Sequence, residues 1–119
     1  MDNRPKTIFI DIDGTLVLHN PPGSTSHVDY RMITFPGTIQ KLNEWDAKGY
    51  NIILTTGRRE SMREVTEKQL REVGIFYDQL IMGIGGGPRI LINDKKPGGD
   101  LAAFSINIDR NYGIKDLDI

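Results

Sequence analysis

Asp11 and Asp13 stand one residue apart in the stretch IFIDIDGTLV, residues 8–17. Around them Ile8, Phe9, Ile10 and Ile12 have the apolar, mostly β-branched make-up of a strand buried on both faces of a parallel sheet. Two like charges at the close of such a strand are costly unless a cation neutralises them. Gly14 lets the chain turn away there. Two more polar clusters follow apolar runs: Thr55-Thr56-Gly57-Arg58 after NIIL, and Asn93-Asp94 after RILI. If each closes a strand of one parallel sheet, all three gather at the carboxyl ends, where such sheets carry their working groups.

Three carboxylates and an amide offer only oxygen donors, a set for a hard cation. Magnesium is the first choice, since it takes a few carboxylates, waters and a phosphate. With a metal screening both partners, one aspartate can attack phosphorus and form an aspartyl-phosphate. The second can protonate the leaving oxygen and then activate water. That role needs a proton held near neutrality, above the ordinary Asp value of about 3.9, and a crowded carboxylate cluster pushes one member that way. The hydroxyl and backbone N–H groups of the TTGR turn, where a helix begins, suit phosphoryl oxygens.

The elements that must position these groups alternate between strand and helix. After the first strand comes a Pro/Gly/Ser loop, HNPPGSTSH at 19–27, then VDYRMITF with weak strand character. Residues 36–49 read as a helix, with Ile39, Leu42 and Trp45 at helical spacing and Gly49 as the stop. YNIILTTG is the second strand. Residues 58–74 form a charged amphipathic helix carrying Met62, Val65, Leu70 and Val73. FYDQLIMG, PRILIND and LAAFSINI are expected to be further strands. The pattern predicts an α/β fold, a small Rossmann-like sandwich of three layers with a central parallel sheet and helices on both faces.

DIDGT, LTTGR and LINDKK, in that order and over essentially the whole chain, resemble the signature motifs of the haloacid dehalogenase-like (HAD) hydrolase superfamily. The resemblance implies a magnesium-dependent phosphohydrolase of the small type without a large cap domain. Carried over by position, Asp11 is the nucleophile and a metal ligand. Asp13 is the general acid/base and lends its backbone carbonyl to the metal. Thr56 supplies the phosphate-binding hydroxyl, with Gly57 and Arg58 beside it at the substrate. Asp94 is the late acidic metal ligand, with Asn93 next to it. The family's third motif is a lysine or arginine that neutralises nucleophile and phosphate. Here that region reads MGIGGGPRIL, so Arg89 is the nearby cation, with Lys95 or Lys96 as substitutes from the far side.

With 119 residues the chain suits a single domain, 1–119, with a short flap insertion around 16–35. That flap is too small for a lid, which predicts either a bulky substrate or closure by a second subunit in a homo-oligomer. A net charge of −1 gives no bulk electrostatic case for nucleic acid or an anionic membrane. The chain has no cysteine, which removes disulfides, zinc-thiolate sites and thiol catalysis. No apolar run approaches membrane-spanning length, and the polar opening MDNRPK precedes a strand, so a cytoplasmic protein is expected. GIGGGP does not fit a dinucleotide loop, because Pro88 takes the third glycine's place and no helix follows. His19 and His27 lie in the polar loop and are read as solvated. A phosphorylated small molecule is the expected substrate, a sugar phosphate first and a nucleotide end next. The competing readings are a receiver-like domain, weakened by the absence of a carboxylate at LTTG, and a catalytically weak phosphate-binding module, motivated by the missing lysine.

Overall fold

A computed structural model describes residues 2–20 and 30–119. His27 and the middle of the 16–35 insertion lie outside the described residues. Strand β1, Thr7–Asp11, pairs in parallel with β2, Asn51–Thr55, placing Thr7 opposite Asn51 and Asp11 opposite Thr55. Strand β3, Gln79–Ile81, joins the other side of β2, also in parallel, giving the order β1-β2-β3. The approach to β3 is locked by Asp78, whose carboxylate accepts from the Ile52 N–H at 2.7 Å while its own N–H donates to the Ile52 carbonyl at 2.8 Å.

Helix α1, Thr38–Ala47, connects β1 to β2 and buries Thr38, Leu42 and Trp45, a spacing that puts all three on one stripe. The buried Thr38 hydroxyl donates to the Leu16 carbonyl at 2.8 Å, tying the helix start to the base of the insertion. There Val17 bridges Thr34 in antiparallel fashion and the Leu18 N–H donates to Ile33. Of the weak strand character expected at 28–35, the described residues 30–35 show one bridge, at Thr34. A 3₁₀ turn at Glu60–Met62 leads into helix α2, Arg63–Glu72, which buries Thr66, Gln69 and Leu70.

Stepping β1, β2, β3 in one direction with right-handed crossovers puts both helices on the same face of the sheet. The core agrees with this: Ile8, Ile10, Ile12, Ile52, Leu54 and Leu80 pack with Leu42, Trp45 and Leu70 in one cluster. Phe9 and Asp11 point to the opposite face, where Phe9 is half exposed. Among the described residues that face carries no helix, so the expected three layers reduce here to two.

The two further strands expected at PRILIND and LAAFSINI are absent: residues 88–108 have no regular secondary structure. The cause is topological. β3 ends at the carboxyl edge with Ile81, and Arg89 is already beside Asp11, near enough for its charge to act on that carboxyl. A parallel strand has to be entered from the opposite edge, which needs a connection of about a dozen residues or more. The short link after Ile81 cannot supply one. The chain instead descends alongside β1, so that Lys96 pairs with Asp2, turns at Lys96–Asp100, and climbs back to Ile108 beside Asp11 and Asp13.

Candidate active site

Residues 12–17 wind tightly after β1, with the N–H groups of Leu16 and Val17 both donating to the Ile12 carbonyl. Gly14 adopts φ 87° at the centre of this turn. A side chain there would be strained and would press on Arg110 Cγ at 3.2 Å. The same turn is strapped from outside: the Asn111 N–H donates to the Gly14 carbonyl at 2.8 Å, and the Asn111 side chain accepts from the His19 N–H at 2.9 Å. His19 is thus held through its backbone. A pocket of about 300 Å³ opens between Asp11, Asp13, Gly14, Thr15, Ile108 and Arg110.

Inside it Asp11 accepts a long bond, 3.5 Å, from the Thr15 hydroxyl. Burial pushes the Asp11 carboxyl above its ordinary value, and the charge of Asp13 adds to this. The Ile12 N–H, the Arg89 guanidinium and Thr15 work in the opposite direction. Arg89 therefore stands near enough to Asp11 for its charge to oppose this rise.

Asp13 is gripped by Arg58, whose Nε and terminal nitrogen donate to its two oxygens at 2.9 and 2.8 Å. The other terminal nitrogen of Arg58 donates to Thr66 Oγ1 at 3.2 Å and Gln69 Oε1 at 2.7 Å, both on α2. A planar guanidinium suits this two-sided task because its donors are fixed in a fork. Arg58 is buried against Asp13 and α2, which differs from the expected contact with substrate. To act on a leaving group, Asp13 has to turn at least one oxygen off the guanidinium.

Thr56 is buried as well, its hydroxyl accepting from the Arg58 N–H at 3.1 Å. The turn it belongs to is sewn to the end of β3: Thr56 N–H donates to Ile81 and Gly83 N–H to the Arg58 carbonyl. Gly57 allows this approach, since a Cβ there would sit 2.6 Å from the Gly85 carbonyl oxygen. Gly85 itself has open space where a Cβ would sit, and its φ of 78° is what favours glycine there.

Asp94 is not brought to Asp11 and Asp13. It lies two residues before Lys96, whose partner Asp2 precedes β1, so it belongs to the amino end of the sheet. From Arg89 to Asp94 the extended chain covers roughly 16 Å. Lys95 and Lys96 are carried to the same end. Among the described residues no three His, Cys, Asp or Glu side chains are grouped to hold a metal ion. Asp11 and Asp13 alone still fit magnesium, which is bound through one or two carboxylates with waters and substrate phosphate completing the shell. Sequence reasoning missed Thr15, Arg110 and Asn111. Thr15 was legible as the hydroxyl closing DIDGT, whereas nothing in RNYG announces a strap on the first turn.

No family model and no curated protein sequence matches the chain. Solved structures do. In one structure of the Pnkp1/Rnl/Hen1 RNA repair complex, 66% of this chain aligns at 32% identity and a TM-score of 0.56, covering 25% of the matched chain. In a second structure of that complex, 72% aligns at 30% identity and 0.57, covering 30%. The chain thus spans less than a third of those neighbours. A Vibrio cholerae structural-genomics target aligns over 96% of this chain and 90% of its own at 18% identity and a TM-score of 0.58, a likeness of fold. In its motif order, its parallel strands and these structural neighbours, the chain resembles the haloacid dehalogenase-like (HAD) hydrolases.

Proposed function

We propose that the chain is a magnesium-dependent phosphomonoesterase working through an aspartyl-phosphate on Asp11. The observation that carries this is the pairing of Asp11 with Asp13 across one open pocket, with a hydroxyl from Thr15 and positive charge from Arg89 beside it. An Asp11 oxygen attacks phosphorus, the ester P–O bond breaks, and Asp13 gives a proton to the departing oxygen. Asp13 then takes a proton from water, which attacks the same phosphorus and releases phosphate as the bond to Asp11 breaks. Arg89 holds positive charge against Asp11 and the incoming phosphoryl oxygens. Asp11 and Asp13 would hold magnesium, with waters and the substrate phosphate completing its shell, and the ion would screen the repulsion between nucleophile and phosphate.

The substrate is a phosphorylated small molecule or a nucleotide end. The resemblance to chains of an RNA repair complex moves the nucleotide end ahead of a sugar phosphate in the order of testing. The test is continuous phosphate release from a generic aryl phosphate and from panels of both classes, with magnesium and with chelator. Asp11→Asn should abolish release. Retention of a tenth of the rate removes Asp11 as nucleophile, release of one equivalent points to a receiver, and none at all points to a binding module.

A further inference from the structure

Residues 88–108 are built like sheet and placed like a loose strap. Ile90 and Ile92 are 85% and 89% exposed and Phe104 is 68% exposed, with Leu91 and Leu101 also open to solvent. Beside them β1 keeps a free edge among the described residues, where its only strand neighbour is β2. A groove of about 840 Å³ wraps that edge, lined by Ile8–Asp11, the descending residues 86–91 and the climbing residues 103–108. The structure is correspondingly long, 51 × 28 × 25 Å, with a radius of gyration of 15.1 Å against about 13.5 Å for a compact chain of this length.

Direction decides what can fill the groove. Within one chain, Arg89–Asp94 runs down from the carboxyl edge, so its acidic end finishes at the wrong end of β1. A two-fold axis perpendicular to the strands reverses that sense. The descending segment of a second copy then climbs parallel to this β1 and ends beside Asp11. The alternation agrees: Ile90, Ile92 and Asp94 share one face, as do Thr7, Phe9 and Asp11. Aligning Asp94 with Asp11 sets Ile92 beside the exposed Phe9, on the face that lacks a helix.

From this we infer that two copies exchange residues 88–94, each adding a parallel strand to the free edge of the other's β1 and delivering its Asp94 to the other's Asp11 and Asp13. The contact is isologous, because the same segment and the same edge are used on both sides. The inference rests on the phosphatase reading for the role of Asp94, but the strand exchange stands apart from catalysis. Asp94, removed from its own site, completes the site of the neighbour.

The absence of cysteine makes the test direct. Phe9→Cys and Ile92→Cys chains carrying different tags are refolded together and oxidised. Exchange predicts a disulfide-linked heterodimer on non-reducing gels and a dimeric wild type in sedimentation. A monomeric wild type, or a Phe9→Cys/Ile92→Cys double variant that closes only within one chain, overturns it. Asp11→Asn and Asp94→Asn chains are also refolded together. Each should be inactive alone, and random pairing in a two-fold dimer restores about a quarter of wild-type activity. A fully active Asp94→Asn, or two inactive parents whose mixture stays inactive, refutes delivery from the second copy. If cross-linking succeeds and the wild type releases no phosphate, the phosphatase reading fails and the exchange survives.

Discussion

Removing Arg58 should do more damage than any other single change at the site, and the structure sets the scale. Its side chain is 6% exposed and that of Asp13 21%. Substituting Arg58→Ala leaves the Asp13 carboxylate without its fork and takes a donor from buried Thr66 and from Gln69. Breaking a buried ion pair costs about 3–5 kcal/mol, and because Asp13 keeps partial access to water, hydration returns some of this, leaving about 2–4 kcal/mol. Against a typical total of about 5–15 kcal/mol that is a large share. With a urea slope of about 1–3 kcal/mol/M the unfolding midpoint falls by about 1–2 M. Trp45, the one tryptophan and almost fully buried, reports the transition by its fluorescence. Arg58→Lys, a single ammonium in place of a fork, should recover less than half the loss. A double-mutant cycle with Asp13→Asn should show coupling of about 1 kcal/mol or more. A loss under about 0.5 kcal/mol in Arg58→Ala, or no coupling to Asp13, refutes the grip of Arg58 on Asp13.

Asp11→Asn should stabilise the fold at neutral pH while abolishing turnover. Burial raises the folded-state pKa of Asp11, so its contribution to stability is fully present below the unfolded value and is lost as pH rises through the folded one. The variant's advantage in urea or heat should accordingly grow from acid to neutral pH; a constant or inverted difference counts against that burial. Arg89→Ala removes the positive charge acting on Asp11, so the acidic limb of kcat/KM should move to higher pH, with a roughly tenfold to hundredfold loss of rate. An unmoved limb would detach Arg89 from the nucleophile. Gly57→Ala drives a Cβ into the Gly85 carbonyl and should cost about 1–3 kcal/mol, whereas Gly86→Ala, with open space around it, should be nearly silent in the same urea titration.

The half of the fold that could be read directly is the half made of local units. Strands at 7–11 and 51–55 and helices at 38–47 and 63–72 announce themselves because period and caps are properties of contiguous residues. Asp11 and Asp13 were legible for the same reason, as a doublet at the end of an apolar run. RILIND and AAFSINI have equally good strand composition and yet form no strand, because composition says nothing about which edge of a sheet a connection can reach. Arg58 shows a different limit. Its place in TTGR suggested substrate, and only the packing of α2 reveals Thr66 and Gln69 waiting on its other side. Asn111 straps the first turn through its backbone N–H and its amide oxygen and Arg110 lines the pocket by its side chain, long-range contacts that no local sequence pattern announces.

Everything that grips Asp13 lies between residues 58 and 69, whereas Asp94 belongs to a segment placed at the amino end of the sheet. If a second copy delivers Asp94, phosphate release per chain should rise with protein concentration and level off once the dimer is fully formed.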